Sequence, residues 1–152
     1  MMNFMEKLLH NKKASFDYEI LGRFEAGISL LGLEVKSLKQ KKGSLEGAHI
    51  TVRGKEAFVV SMRIPAYQPT NTPKDYDEYR LRKLLLTKKE LDELSKKESE
   101  KGLTIVPISV YNKGRKIKLE IAVVRGKKRY DKREIIKKRD TKRDIERSLK
   151  YE

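Results

Sequence analysis

The chain has 152 residues, with 37 Lys and Arg against 22 Asp and Glu, a formal net charge of +15 and a pI near 9.9. Its 38% hydrophobic content supports one modest core, so one compact domain of roughly 120 residues plus an appendage fits better than two domains. The absence of cysteine excludes disulfides and thiolate metal sites, while the excess of Lys and Arg points to nucleic acid or an anionic membrane as partner, since such clusters release counterions from phosphates.

The first residues, MMNFMEKLLHNKK, contain Glu6 and no apolar stretch long enough for a signal-peptide core. No run in the chain approaches the ~18 apolar residues of a membrane span, so the expectation is a soluble, cytoplasmic chain without a membrane partner. Asp17 to Leu21 and Glu25 to Leu31 read as strands, with Gly22 allowing a bend between them. Leu31, Val35 and Leu38 recur at helical spacing and the pattern stops at Gly43, which predicts a short helix over Leu33 to Gln40. Ala48, Ile50 and Val52 alternate with polar residues, Gly54 and Lys55 follow, and apolar positions resume at Phe58 and Val60, the pattern of a β-hairpin.

Pro65 to Arg82 has no period, contains two further prolines and is expected to be a long loop. Thr87 and Glu90 have capping-box spacing, Leu91 and Leu94 form an apolar stripe, and Gly102 marks an end, so a second helix is placed at Lys88 to Lys101. A second hairpin runs from Leu103 to Tyr111, turns through Asn112 to Gly114 and returns with Ile117, Leu119, Ile121 and Val123 on one side and Lys116, Lys118 and Glu120 on the other. Pro107 lacks an amide donor and belongs at an edge or a bulge.

Six short strands and two helices predict a mainly β, α+β fold: a small antiparallel OB-like barrel with flanking helices and a basic C-terminal tail. The organisation expected is an N-terminal segment at 1–15, an RNA-binding barrel at 16–130 and a tail at 131–152. From Arg125 to Glu152 the chain has 13 Lys and Arg against 6 Asp and Glu, with few sizeable apolar groups. Such a tail buries too little surface to order alone and is expected to be disordered when free. Asp140 can cap a helix whose Ile145 and Leu149 share a face, a marginal helix that a bound surface would stabilise.

An enzymatic reading finds little support. His10 and His49 lie far apart without metal-ligand spacing, and Asp75, Asp77 and Glu78 sit in a polar loop beside Lys74 and Arg80, where carboxylates are normally solvated. The reading is therefore of a chain that is not an enzyme and needs no metal or cofactor. Basic residues recur at element ends: Lys12 and Lys13, then Lys36, Lys39, Lys41 and Lys42, then Arg80, Arg82 and Lys83, then Arg125, Lys127, Lys128 and Arg129. Tyr130, embedded in a basic tract, can dock on the body or stack on RNA. These features fit a specific RNA-binding protein and equally a general ribosomal protein or RNA chaperone.

The strings NKKASFDYEI at 11–20, FEAGISLLGLEVKSL at 24–38, RKLLLTKKEL at 82–91, KGLTIVPISVY at 101–111 and GKKRYDKRE at 126–134 resemble the SsrA-binding protein family, also called small protein B, over nearly the whole chain. The resemblance implies an OB-like body that binds the tRNA-like domain of transfer-messenger RNA, and accompanies it with elongation factor Tu to stalled ribosomes. It also implies a tail that enters the vacant mRNA channel of the small subunit and becomes helical there. The free protein is expected to be a monomer. By motif match, Asn11, Lys12, Glu25, Lys36, Lys83 and Lys127 are candidates for the RNA face, and Lys13, Arg82, Lys128 and Tyr130 join them from the basic tracts. Asp131, Lys132 and Arg133 match the tail motif, which Lys137, Lys138, Arg139, Lys142 and Arg143 continue. One departure is local: Ser15 and Phe16 stand where many relatives have Arg and His.

Overall fold

The computed structural model describes residues 5–68, 70 and 72–126. In chain order these form β1 (Met5–His10), α1 (Lys12–Asp17), β2 (Tyr18–Ile28), α2 (Gly32–Lys39), β3 (His49–Arg53), β4 (Glu56–Val60), β5 (Arg82–Leu85), α3 (Lys88–Ser99), β6 (Leu103–Lys113) and β7 (Lys116–Gly126). The strands make one antiparallel sheet in the order β1-β6-β7-β2-β5-β4-β3.

The expected α+β class holds, but among the described residues the barrel is not closed by hydrogen bonds: β1 and β3 are the two ends of the sheet. The sheet curls so that β3 comes back against β6, and α3 packs on both strands. Leu94 of α3 is fully buried, and the Glu98 carboxylate accepts hydrogen bonds from the Val52 amide (2.6 Å) and the Thr51 hydroxyl (3.2 Å). A helix side chain thus satisfies a backbone donor on an end strand that, among the described residues, no further strand pairs.

Both hairpins form as two-residue turns, with Arg53 opposite Glu56 and Lys113 opposite Lys116. Gly54 and Gly114 each have φ 63, a conformation that strand twist favours here and that Cβ-bearing residues resist. The second hairpin extends two residues further than its apolar pattern indicated, to Lys113. Thr87 caps α3 as its spacing predicts: the Glu90 amide donates to its hydroxyl (3.2 Å), and its own amide donates to the Glu90 carboxylate (3.0 Å).

Two of the differences from expectation, in β2 and β1, come from bulges. β2 is one eleven-residue strand rather than two, because a register shift between Ile20 and Gly22 absorbs Leu21 as a bulge. Before it, Tyr18 and Ile20 pack with Val106, Ala122 and Val124 under Ala14 of α1; after it, Phe24, Ala26 and Ile28 join the main core. β1 has a similar shift at Leu8, which breaks its alternation and hides it as a strand. Its pairing with β6 makes residues 5–10 part of the sheet. β6 shifts between Pro107 and Ser109, so the proline does sit at a bulge, inside the sheet between β1 and β7. β5, which shares only Arg82 with the expected loop and is not among the expected strands, is hidden by an arginine at a core-facing position: Arg82 and Leu84 point inward, Lys83 and Leu85 outward.

The main core gathers residues from every strand together with Leu38 of α2 and Leu94 of α3. The second, smaller cluster lies on the opposite side of the sheet under α1.

Candidate nucleic-acid interface

Antiparallel partners place their side chains on the same face of a sheet. Glu25 stands opposite Glu120, Gly27 opposite Lys118 on one side and Leu85 on the other, Tyr111 opposite Lys118, and Lys7 opposite Tyr111. All of these project away from the main core, on the outer face shared with α1. Lys83, two residues from Leu85, projects the same way and pairs with Glu56 at 3.1 Å. Leu85 is 57% exposed, and its side chain lies where a Cβ on Gly27 would fall, 3.1 Å from that point. Glycine here lets the exposed Leu85 side chain lie close against the β2 backbone, two residues from Glu25.

Glu25 itself is held in position. Its carboxylate accepts a hydrogen bond from the Tyr111 hydroxyl and one from Lys113 Nζ at 3.2 Å. The Tyr111 bond, acting against a burial effect in the other direction and helped by Lys113 and Lys118, holds this carboxyl below the usual glutamate range. The same contact works in reverse on Tyr111, whose phenol is pushed up first by burial and then by the Glu25 carboxylate. Glu25 is therefore an ionised, oriented acceptor with one lone-pair direction unused, at a largely basic surface. Such a group suits base or 2′-OH donors, while Lys83, Lys113 and Lys118 suit phosphates. The ion pair of Lys83 is exposed on both sides, and such pairs contribute only ~0–1 kcal/mol, so a phosphate can replace the partner.

α1 is set on this face by Asn11. Its Oδ1 accepts from the Ala14 amide (3.3 Å), and its Nδ2 donates to the carbonyls of Pro107 (2.9 Å) and Leu45 (3.5 Å). At 8% exposure, Asn11 spends its amide on the fold, tying the helix to the β6 bulge. Its effect is to present Lys12 and Lys13, both exposed, at the rim. Lys13 meets Glu46 at 2.6 Å beside a cleft of about 500 Å³ that also includes Tyr18, His49 and Thr104.

Arg82 has a different place from its neighbour. Its side chain is completely buried, with Nε donating to Glu34 (2.7 Å), Nη1 to the Met62 carbonyl (2.6 Å) and Nη2 to the Glu78 carbonyl (3.0 Å). It has nothing left for a phosphate. Glu34, equally buried, also receives Arg80, the Leu31 amide (2.7 Å) and the Tyr76 hydroxyl (3.1 Å). Burial acts to raise its pKa, but the hydrogen bonds of Arg80, Leu31 and Arg82 outweigh that and leave it below the ordinary value. This cluster fastens the tract from Tyr76 to Arg82 against α2. Lys36, on the exposed side of α2, lies over the Tyr67 ring at 5.8 Å and does not join the outer face.

Of the residues chosen from sequence, the outer side therefore brings together Glu25, Lys83, Lys12 and Lys13, and it excludes Arg82 and Lys36. It adds Leu85, Tyr111, Lys113 and Lys118; only the wrong-parity leucine in RKLLL and the outward lysines of the last hairpin signal them in the sequence. Lys127, Lys128, Tyr130 and the tail residues from Asp131 to Leu149 lie outside the described residues. Among the described residues, no three His, Asp or Glu side chains converge as a metal site, and no helix is long and apolar enough to cross a membrane. Asp77 accepts from the Tyr79 amide and Glu78 pairs with Arg63 at 3.0 Å, both local structural contacts.

A sequence profile of the family described as SmpB protein matches residues 8–151. The chain belongs to the SmpB protein family. It is 49% identical over 141 residues to the SsrA-binding protein of Mesoplasma florum, covering 93% of this chain and 95% of that protein. It is 42% identical over 150 residues to the SsrA-binding protein of Borreliella burgdorferi, covering 99% of each. A solved chain, 40% identical, from a structure described as "tmRNA-SmpB: a journey to the center of the bacterial ribosome" aligns with a TM-score of 0.68, covering 80% of this chain and 85% of that one. The SmpB family membership agrees with the resemblance carried by the motifs, whose FEAG and RKLLL strings supply Glu25, Gly27, Lys83 and Leu85 to one face.

Proposed function

We propose that this chain is a non-catalytic RNA-binding protein of ribosome rescue: it binds transfer-messenger RNA through the outer face and brings it to stalled ribosomes. The observation that carries the reading is the convergence of the family's motif residues on one basic surface around an oriented carboxylate. The 40% identity to a chain from a tmRNA–SmpB structure of the ribosome supports the same partners. In this reading Glu25 and Leu85 receive splayed nucleotides, with Lys12, Lys13, Lys83, Lys113 and Lys118 around them on phosphates. The chain is monomeric when free and cytoplasmic, and acts together with elongation factor Tu.

The tail has the second task. Its charge suits an RNA-lined channel, and Ile145 and Leu149 give a helix formed there one apolar stripe. A chain cut after Tyr130 then keeps its affinity for transfer-messenger RNA but no longer supports peptide tagging on stalled ribosomes. Equal loss of both activities would refute the division of labour. A general RNA chaperone, by contrast, binds unrelated structured RNA almost as well at matched salt, so competition binding with such an RNA separates the two.

A further inference from the structure

Tyr111 lies on β6 and Glu25 on β2, with β7 between them, so their side chains meet over the intervening strand. Strands two apart are separated by roughly 10 Å, a gap that only long side chains on the same face can bridge. The positions of β7 that this contact crosses are Lys118, opposite Tyr111, and Glu120, opposite Glu25. Like charges directly opposite on neighbouring strands repel, and Arg23 draws the Glu120 carboxylate aside. Glu25 needs a holder of its own.

Two side chains hold it, and they differ in kind. Lys113 Nζ donates to both carboxylate oxygens, at 3.2 and 3.4 Å, from an exposed, flexible stem that carries a charge. A phosphate brought to this face competes for that ammonium, because exposed ion pairs are weak. Tyr111 is only 5% exposed, its ring turns about two side-chain torsions, and its hydroxyl gives its proton to Glu25. Burial and the Glu25 carboxylate push the phenol up, so it remains a neutral donor through neutral pH. A neutral donor is not captured by phosphate and does not cancel the carboxylate charge.

We propose that Tyr111 is a positioning residue for RNA recognition: its hydroxyl fixes the direction of the one Glu25 lone pair left for a base or 2′-OH donor, and keeps it fixed when phosphates take Lys113. The inference rests on the reading of the outer face as the transfer-messenger RNA site. Tyr111 and Lys113 occupy three of the carboxylate's roughly four acceptor directions, so what remains suits a single donor. Without the hydroxyl, the carboxylate is free to follow Lys113 or Lys118, and its open direction is no longer set. The lysines supply attraction to any RNA backbone, and the tyrosine supplies the aim that a particular RNA requires.

The test measures the Kd of the full chain for transfer-messenger RNA, corrected for the folded fraction, against salt and pH. Tyr111→Phe keeps the ring and removes the hydroxyl. It should weaken binding by about 3- to 10-fold without changing the salt slope, since a neutral donor releases no counterion. Lys113→Gln should instead flatten the slope by about 1. In a Glu25→Ala background the Tyr111→Phe loss should vanish, because the group it acts through is gone. Glu25 faces Lys113 from β6, Lys118 and Glu120 from β7 and Arg23 on its own strand, while β5 brings the uncharged Leu85. The Tyr111 bond is the largest influence holding its carboxyl low. A carboxylate is charged above its pKa and loses that charge as pH falls through it, so Tyr111→Phe should begin to lose affinity at a higher pH than the parent. Glu25→Ala supplies the RNA's own pH dependence for subtraction. Full affinity in Tyr111→Phe overturns the proposal, as does a changed salt slope, a loss that persists in Glu25→Ala, or an onset at the parent's pH. Normal binding by Glu25→Ala overturns the outer-face reading together with the proposal. Weakened Glu25→Ala beside an unaffected Tyr111→Phe overturns the positioning role alone.

Discussion

Arg82 and Lys83 are adjacent on β5 and carry the same charge, yet one is fully buried and the other is exposed and paired with Glu56. The inward guanidinium is used entirely by Glu34 and by the Met62, Arg80 and Glu78 carbonyls. The outward ammonium has one solvent-exposed partner that a phosphate can displace. A strand reverses the side of each successive residue, so a basic pair contributes one group to the fold and one to the surface. The lesson extends to the acids: Glu34 and Glu25 both have depressed pKa values, but Glu34 is enclosed by the fold and Glu25 is presented beside Gly27 and Leu85.

The sharpest way to break this contrast is Arg82→Met. It leaves Glu34 buried with only part of its compensation, and it should cost about 3 kcal/mol in urea unfolding while the folded fraction binds RNA as before. A variant of normal stability with weakened RNA binding would move Arg82 to the interface. Acid should act on the same cluster. The folded-state pKa of Glu34 is below its unfolded value of about 4.3, so its contribution is fully present above that pH and disappears as pH falls through the folded value. Glu25 adds to the same window. Unfolding free energy measured against pH should therefore fall less steeply below about pH 4.3 in Glu34→Gln than in the parent.

Asn11→Ala comes next in size. It removes the cap of α1 and the bond to the Pro107 carbonyl, for an expected cost of about 1–2 kcal/mol in denaturant unfolding. Its effect on RNA affinity should follow from the misplacement of Lys12 and Lys13, so the Kd should remain raised after correction for the folded fraction. The smallest stability effect belongs to the outer face: Lys83→Gln with Lys113→Gln should change unfolding free energy by no more than about 0.5 kcal/mol, yet flatten the salt dependence of RNA binding by about 2. A large stability loss in that pair would erase the distinction between the two sides.

Much of the scaffold was legible beforehand. Alternation in Ile117 to Val123 located β7 and its core side, Thr87 and Glu90 located the start of α3, and Gly54 located a turn, each because the signal is local. β1, α1 and β5 were not legible for reasons equally specific. β1 contains a bulge, α1 is six residues long with Ala14 as its buried apolar contact, and β5 alternates with an arginine in a core position. Arg82 was misplaced for the same reason: a basic residue in a basic tract reads as surface unless Glu34, 48 positions earlier, is known to meet it.

The sequence by itself determined the charge, the family and the run of strand-forming segments, because composition, motif spacing and period are properties of contiguous residues. Only the tertiary structure decided which basic and acidic groups share a face. That choice depends on register shifts at Leu8, Leu21 and Ile108, and each such shift exchanges inside for outside along the rest of its strand. Those shifts are settled by pairing with distant strands. Lys83 therefore meets the Glu25 site through long-range register, and Arg82 beside it is committed to the core.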